Sequence, residues 1–493
     1  MEKSKIIYNN KVKNKDYKKA VRNKKKYLKK YGDDSNNNYS LKVSEISALK
    51  DFIKTENLVI DSNNNNKAFD GNNEKAIIIG NIRMGFGHYR ISMAIASAAI
   101  AKGYTPYWLD LHSFKETTGG KVIDHLNELY SFGSRLSQKV ELFNKLYWEP
   151  LNSEGFKKIS YNAMDQKVSE LMTTIFKGIP NDIPFIATHV WPSQAAIHAG
   201  MKNVINVIPD NWPMALHLSE GAIHTVQTPS SFLGYKTLKN MDGNKILNPI
   251  PDGELINVGH YIDHELVSNI EEDCKKRLDR VENNKMKRLL LTVGGAGAQK
   301  EIYLSIIKKL MPSIREKKVA LYINVGDHKG FFEDLVKEMP ELGIEKDGLV
   351  SHYFDNYEKS TEFAKVALDN EVSGINIFYN KDIFAAVYLT NLLMRSCDLC
   401  ITKPSELAFY PVPKLMIKRV GGHEAYGAIR AAEIGDGTIE CETKDQTLQM
   451  LDLILGSGEI LKMFNENILK AKKIGIYDGA YKVIELAGKR SRE

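Results

Sequence analysis

From Lys75 onward the chain alternates short, unbroken apolar runs with longer stretches whose apolar residues recur at helical spacing: KAIIIG, then YRISMAIASAAIAKG, then PYWLDLH. That alternation predicts βαβ units and a parallel sheet. It continues through FIATH (185–189), NVINVIPD (203–210), AIHTVQT (222–228) and LINVG (255–259). Residues 263–287 are charged, helical in pattern and poor in apolar side chains, which places a domain boundary near 260–287. The alternation restarts with RLLLTVGGAGAQ (288–299), VALYINVGD (319–327), INIFYN (375–380), LCITKP (399–404) and KLMIKR (414–419). Two helical patterns then close the chain.

The first 74 residues read differently. Two Asn-rich stretches, 33–40 and 61–74, bracket one short amphipathic segment, and residues 1–30 carry 13 basic against 2 acidic side chains. That segment is +11 within a chain of net charge +7, so the remainder is −4. The expected organisation is a basic, largely disordered appendage (1–74), a first Rossmann-like domain (75–265), a linker (266–287), a second Rossmann-like domain (288–457) and terminal helices (458–493). Basic character confined to an arm without aromatic spacing argues against a nucleic-acid-binding protein. A solvated tail and an arm drawn to an anionic membrane surface are its two readings. With no apolar signal region and no apolar run of spanning length, the chain is expected to be cytoplasmic, peripheral on the inner face of the membrane. Cys397 and Cys400 lie in an apolar run without a second ligand pair, so no metal is expected.

Four strand-end motifs carry the candidate chemistry. GNIRMGFGHYRISMAIA (80–96) sets Arg83, Gly85, Gly87 and His88 between a strand end and a helix, where glycines let a ligand approach backbone N–H groups. Turns of this kind serve dinucleotides, phosphates and tight packing alike, and Asp110 is a poor match for a ribose-binding acid. VIPDNWPMALH (207–217) puts Asp210 at another strand end. TVGGAGAQKE (292–301) opens the second half with Gly294, Gly295 and Gly297, suited to holding a diphosphate. ITKPSELAFYPVP and GGHEAYGAIRAAEIGDG place Lys403, Ser405, Glu406, His423 and Glu424 at later strand ends and helix starts, where carboxylates can accept hydrogen bonds from sugar hydroxyls. An insertion, 113–178, carries Tyr130, Phe132, Leu136, Leu142, Phe143, Tyr147 and Trp148 in helical patterns, either core helices or an interfacial acceptor helix.

In their order, these motifs over about 75–440 resemble the family of monogalactosyldiacylglycerol synthases and the lipid II-forming UDP-GlcNAc transferase: GFGH, VIPDNW, VQTPSS, GGAGAQ, ITKP, and Glu406 seven residues before Pro413. The sequence departs from that pattern where Ser405 stands in place of a glycine turn after ITKP and where Gly427 precedes Ala428. The resemblance implies an α/β, GT-B fold with two Rossmann-like domains facing across a cleft and C-terminal helices crossing back to the first domain. It implies an inverting, metal- and cofactor-free glycosyltransferase moving a sugar from a UDP-sugar to a lipid acceptor, diacylglycerol-type or polyprenyl-linked. His88 is the expected base, with Asp210 orienting it or serving instead; Phe378 and Tyr379 are expected to pack against uracil. A UDP-GlcNAc 2-epimerase-like enzyme and a non-catalytic sugar-nucleotide-binding protein remain alternatives of the same fold.

Overall fold

Unbroken apolar runs mark strands covered on both faces, and the computed structural model bears this pattern: every residue of the strand Ala76–Asn81 is buried, as is every residue of Phe185–Ala187 and Val204–Val207. The structure describes residues 2–60, 67–83, 85–139, 155–294, 299–343 and 351–490. Gly295, Gly297, Leu142, Phe143, Tyr147 and Trp148 lie outside the described residues, as do the side chains of Tyr130, Leu136 and His423. The chain divides into two units: Met1–Asp263 with Gly421–His423 and Asp478–Glu493, and His264–Val420 with Glu424–Tyr477. Each is an α/β, Rossmann-like unit built on one sheet.

In the first unit the strands run, across the sheet, Leu255–Asn257, Ile223–Val226, Val204–Val207, Phe185–Ala187, Ala76–Asn81, Thr105–Asp110 and Glu56–Ile60, all parallel. Leu41–Glu45 and Lys67–Ala68 add an antiparallel edge. From Ala76–Asn81 the chain passes through the helix Gly87–Ala101 to Thr105–Asp110 on one side, then returns to Phe185–Ala187 on the other. The winding reverses between those two strands.

Residues 2–60 are therefore not a disordered appendage. A hairpin, Ile6–Ile7 with Asn10–Lys11, sinks Ile7 and Tyr8 into a core shared with Ile208, Val226 and Tyr235. The helix Asn14–Tyr31 packs on Ile159–Ser169, burying Ala20 and Tyr27, and Glu2 ties the start of the chain to Lys167 at 2.5 Å. Although burial opposes ionisation, Lys167 and Tyr17 hold the Glu2 carboxyl down at about 2. Composition concealed this because one face of the helix carries the charge and the other, with few apolar residues, does the packing.

The last helix, Gly479–Arg490, belongs to the first unit and lies against Gly87–Ala101 and Val204–Val207, with Ala480, Val483, Ile484 and Ala487 fully buried. Gly479 enters so close to the backbone carbonyls of Gly259 and His260 that a Cβ would overlap both. The helix before it, Glu459–Lys473, stays in the second unit. There all six strands are parallel, in the order Ser351–Phe354, Ile375–Phe378, Val319–Asn324, Lys287–Thr292, Leu399–Thr402, Lys414–Met416.

The expected linker is likewise structured. Ile270–Glu282 is a helix against Glu459–Lys473; its buried Arg277 donates to the carbonyls of Cys397 (2.8 Å) and Met394 (2.9 Å), and Arg280 grips Asp398 at 2.9 and 3.1 Å. Buried arginines, which a sequence pattern counts as surface, bind this helix to the second sheet.

Lys414 and Asp436 form a fully buried ion pair at 2.7 Å, supported by the Tyr410 carbonyl and the Tyr477 hydroxyl. Removing one member strands the other charge, which typically costs about 3–5 kcal/mol. Lys414→Met should lower the stability of the second unit by that amount in urea unfolding followed by circular dichroism.

Candidate functional site

Open parallel sheets bind ligands beyond the carboxyl ends of their strands, where the winding reverses and no crossover helix closes the gap. In the first unit that point lies beyond Asn81 and Ala187. Asn81 is fully buried, and neither its Oδ1 nor its Nδ2 has a hydrogen-bond partner. The chain then turns through exposed Arg83 and Gly85, whose φ of +82° is a left-handed conformation that glycine adopts without strain. The helix starts at Gly87 without a side-chain cap, leaving first-turn N–H groups that favour negative charge.

His88 is half-buried on that first turn. Its Nδ1 lies 2.7 Å from the Thr188 carbonyl, which can only accept, so Nδ1 carries a proton, and in the neutral ring Nε2 then holds the lone pair. His189 stands edge-on to it at 4.9 Å. The His189 Nδ1 accepts the Trp191 N–H at 3.2 Å, capping the helix Val190–His198; burial, with repulsion from His88 and His217, holds its pKa well below the usual value and keeps the ring neutral. Trp191 in turn donates to Asp165 at 3.0 Å, and burial pushes that carboxyl up to about 8.

Asp210 follows the next strand, Val204–Val207, and accepts from His217 Nε2 at 3.0 Å. The Asp210 side chain is 32% exposed and that of His217 only 5%, so the imidazole stands behind and the carboxylate is presented. Thr188 thus holds the His88 ring, while Asp210 is engaged with His217. Asp110 is buried, its carboxylate taken by the Tyr89 hydroxyl and the His112 N–H. His189 and His217 were not singled out in the sequence: FIATH is itself a strand end and gives a signal, whereas His217, in the short turn Ala215–His217, gives none.

In the second unit the winding reverses between Lys287–Thr292 and Leu399–Thr402. A Cβ on Gly294 would come within 3.0 Å of the Lys403 side chain, and Lys403 is paired with Glu424, whose other oxygen accepts the Val420 N–H at 2.8 Å. Gly294, Lys403 and Glu424 therefore come together. Ser405 and Glu406 are half-buried in the turn that follows, and Gly427 allows the helix Ala425–Ile434 to approach the Pro404 carbonyl, which a Cβ would meet at 3.1 Å. Phe378 does not fit the expected role against a base: it is fully buried, stacked on Phe354 at 4.8 Å and packed by Phe363. As the last residue of its strand it packs among those aromatic rings; Tyr379 is half-buried and packs against the core that holds Ile375 and Ile377. Among the described residues no group of three or more His, Cys, Asp or Glu side chains is placed to hold a metal ion, and no helix is long and apolar enough to cross a membrane.

Residues 6–237 match the family described as domain of unknown function DUF6937, and residues 250–488 that described as domain of unknown function DUF6938. No curated protein sequence matches the chain. Among solved structures, it is similar to the UDP-GlcNAc 2-epimerase from Neisseria meningitidis bound to UDP-GlcNAc (12% identity, 84% of this chain and 100% of that one, TM-score 0.44). It is also similar to an α,α-trehalose 6-phosphate synthase from Burkholderia multivorans (10%, 66% and 76%, TM-score 0.38) and an O-GlcNAc transferase mutant from Thermobaculum terrenum (10%, 86% and 68%, TM-score 0.33).

The buried imidazoles set an acid limit on the first unit. Burial holds His224, whose Nε2 accepts the Ser219 N–H, down at about 4 against an unperturbed 6.5. As pH falls from 6.5 towards 4, the unfolded imidazole takes a proton that the folded one refuses, so stability declines by up to about 1.4 kcal/mol per pH unit. Denaturation titrations across that window should show the decline, and His224→Gln should flatten it.

Proposed function

We propose that the chain is an inverting glycosyltransferase that moves a sugar from a UDP-sugar to the hydroxyl of a lipid acceptor, diacylglycerol-type or polyprenyl-linked, at the inner face of the membrane. The observation that carries this reading is the contact of His88 Nδ1 with the Thr188 carbonyl: with Nδ1–H donated there, Nε2 of the neutral ring is the nitrogen able to take a proton from an acceptor hydroxyl. Neutral, buried His189 beside it adds no positive charge, and the uncapped helix start favours negative charge at the acceptor oxygen. Asp210, held by His217, is the second base candidate.

Donor binding is assigned to the second unit. Gly294 backs onto Lys403, a cation within reach of a phosphate once its pairing with Glu424 is exchanged, and Glu424 and Glu406 supply acceptors for sugar hydroxyls. The order of GFGH, VIPDNW, VQTPSS, GGAGAQ and ITKP supports the same assignment. No cofactor beyond the UDP-sugar enters this reading. One observation bears on the UDP-GlcNAc 2-epimerase alternative: His88 and Asp210, with His189 and His217 behind them, gather titratable groups beyond the carboxyl ends of neighbouring strands.

The intact protein should bind UDP by calorimetry, and Lys403→Ala should weaken that binding by about tenfold, the worth of one charge-assisted contact; a protein that binds no UDP sinks the donor assignment. With radiolabelled UDP-sugars and extracted lipids, label should enter the lipid fraction. His88→Ala should lower kcat by roughly 10² to 10⁴ while leaving UDP affinity intact. Full turnover in His88→Ala with an inactive Asp210→Asn moves the base to Asp210. Exchange of the sugar C2 proton with deuterated water, without any acceptor, selects the epimerase.

A further inference from the structure

The basic residues of the helix Asn14–Tyr31 are sorted by side. Lys15, Lys18, Lys19, Arg22, Lys25, Lys26, Lys29 and Lys30 are exposed, whereas Ala20 and Tyr27 are buried and Tyr17, Lys24 and Leu28 are half-buried. At 100° per residue the eight exposed cations fall within an arc of about 140°, and the packed residues fall on the opposite side. None of the eight forms an ion pair among the described residues, while Lys24, on the packed side, is spent on Glu170 at 2.6 Å. Asp16, half-buried in the first turn, is the one acid on the helix.

A second feature lies on the helix Thr118–Lys139, which packs against this one. Tyr27 and Tyr31 pack against His125 of the helix Thr118–Lys139 at 6.2 and 6.1 Å, and burial together with the approach of Lys30 and Lys26 depresses that imidazole. One and two turns further along the same side of that helix stand Leu129 and Phe132, 53% and 60% exposed. Glu128 shares that side and tempers the charge there. Two large apolar side chains left in water on the neighbouring helix, together with eight cations that form no ion pair among the described residues, are the elements of an interfacial docking face, in which cations meet anionic headgroups and apolar tips enter the acyl boundary.

We propose that the outer face of Asn14–Tyr31, together with Leu129 and Phe132, is a preformed docking surface for an anionic lipid bilayer. A nucleic-acid partner fits this surface less well: no exposed aromatic interleaves the cations for stacking, and the apolar pair would have no counterpart on a phosphate backbone. The inference deepens the lipid-acceptor reading by naming the surface that would bring the chain to its acceptor. It is tested without sugar nucleotide, so its failure leaves the transfer chemistry untouched.

The experiment is co-sedimentation of the full chain with vesicles of phosphatidylcholine alone and of phosphatidylcholine with 30% phosphatidylglycerol (roughly the anionic share at which surface potential attracts basic segments), at low and high salt. The chain should bind the anionic vesicles at low salt and be released by salt. Reversing Lys18, Arg22, Lys25 and Lys29 to Glu should lower the partition coefficient by roughly 100-fold or more. Leu129→Ser with Phe132→Ser should lower it by about tenfold and leave the salt dependence in place. All six side chains are exposed, and circular dichroism of each variant checks the fold. Equal binding by the charge-reversed variant, no binding by the wild type, or displacement from vesicles by an equal charge of RNA overturns the proposal.

Discussion

The candidate site of the first unit depends on one constraint of parallel sheets: a crossover helix can cover only the side to which the chain winds, so where the winding reverses, the strand ends stay uncovered. Ala76–Asn81 and Phe185–Ala187 flank that gap. Each candidate group there is placed by a neighbouring strand end: His88 by the helix after the first, Thr188 and His189 by the second, Asp210 by the third. Their meeting follows from register, since Gly80 pairs with Ala187 and Ala187 with Asn206, which fixes the heights at which the loops leave the sheet.

Buried charge does the complementary work of holding helices onto the sheets. Arg277 and Arg280 reach from one helix to the carbonyls and carboxylate at the end of another, and Asp398 also accepts the Arg288 N–H at 2.8 Å, so a single carboxylate fixes both a helix and a strand start. Such pairs are weak evidence for added stability, because desolvation offsets the attraction. Their geometry nevertheless excludes alternative packings that would leave a charge unpaired in the core.

Much of this was legible in the sequence, and the lapses share a cause. The strand ends carrying His88, Asp210, Gly294 and Lys403 stood out because buried parallel strands are apolar throughout and stop abruptly at polar loops. The first 60 residues and 266–287 did not, because their packing faces are narrow and partly built from Tyr17, Lys24, Arg277 and Arg280, which composition reads as solvent-facing. Phe378 was misplaced for a related reason: a strand end locates the edge of a sheet, and the two-residue alternation decides which side chains leave it. His217 has no signature, since its partnership with Asp210 is made by a turn that no periodicity marks.

The second unit interrupts the first in the sequence: the first unit's body ends at Asp263, and its last helix arrives only after Tyr477. That helix packs against Gly87–Ala101, a helix that is buried along nearly its whole length. During synthesis the first unit therefore emerges complete in its sheet yet uncovered on one face for the whole time that the second is being made. The order in which residues leave the ribosome thus makes Ala480, Val483, Ile484 and Ala487, synthesised after the whole second unit, the residues whose docking closes that face.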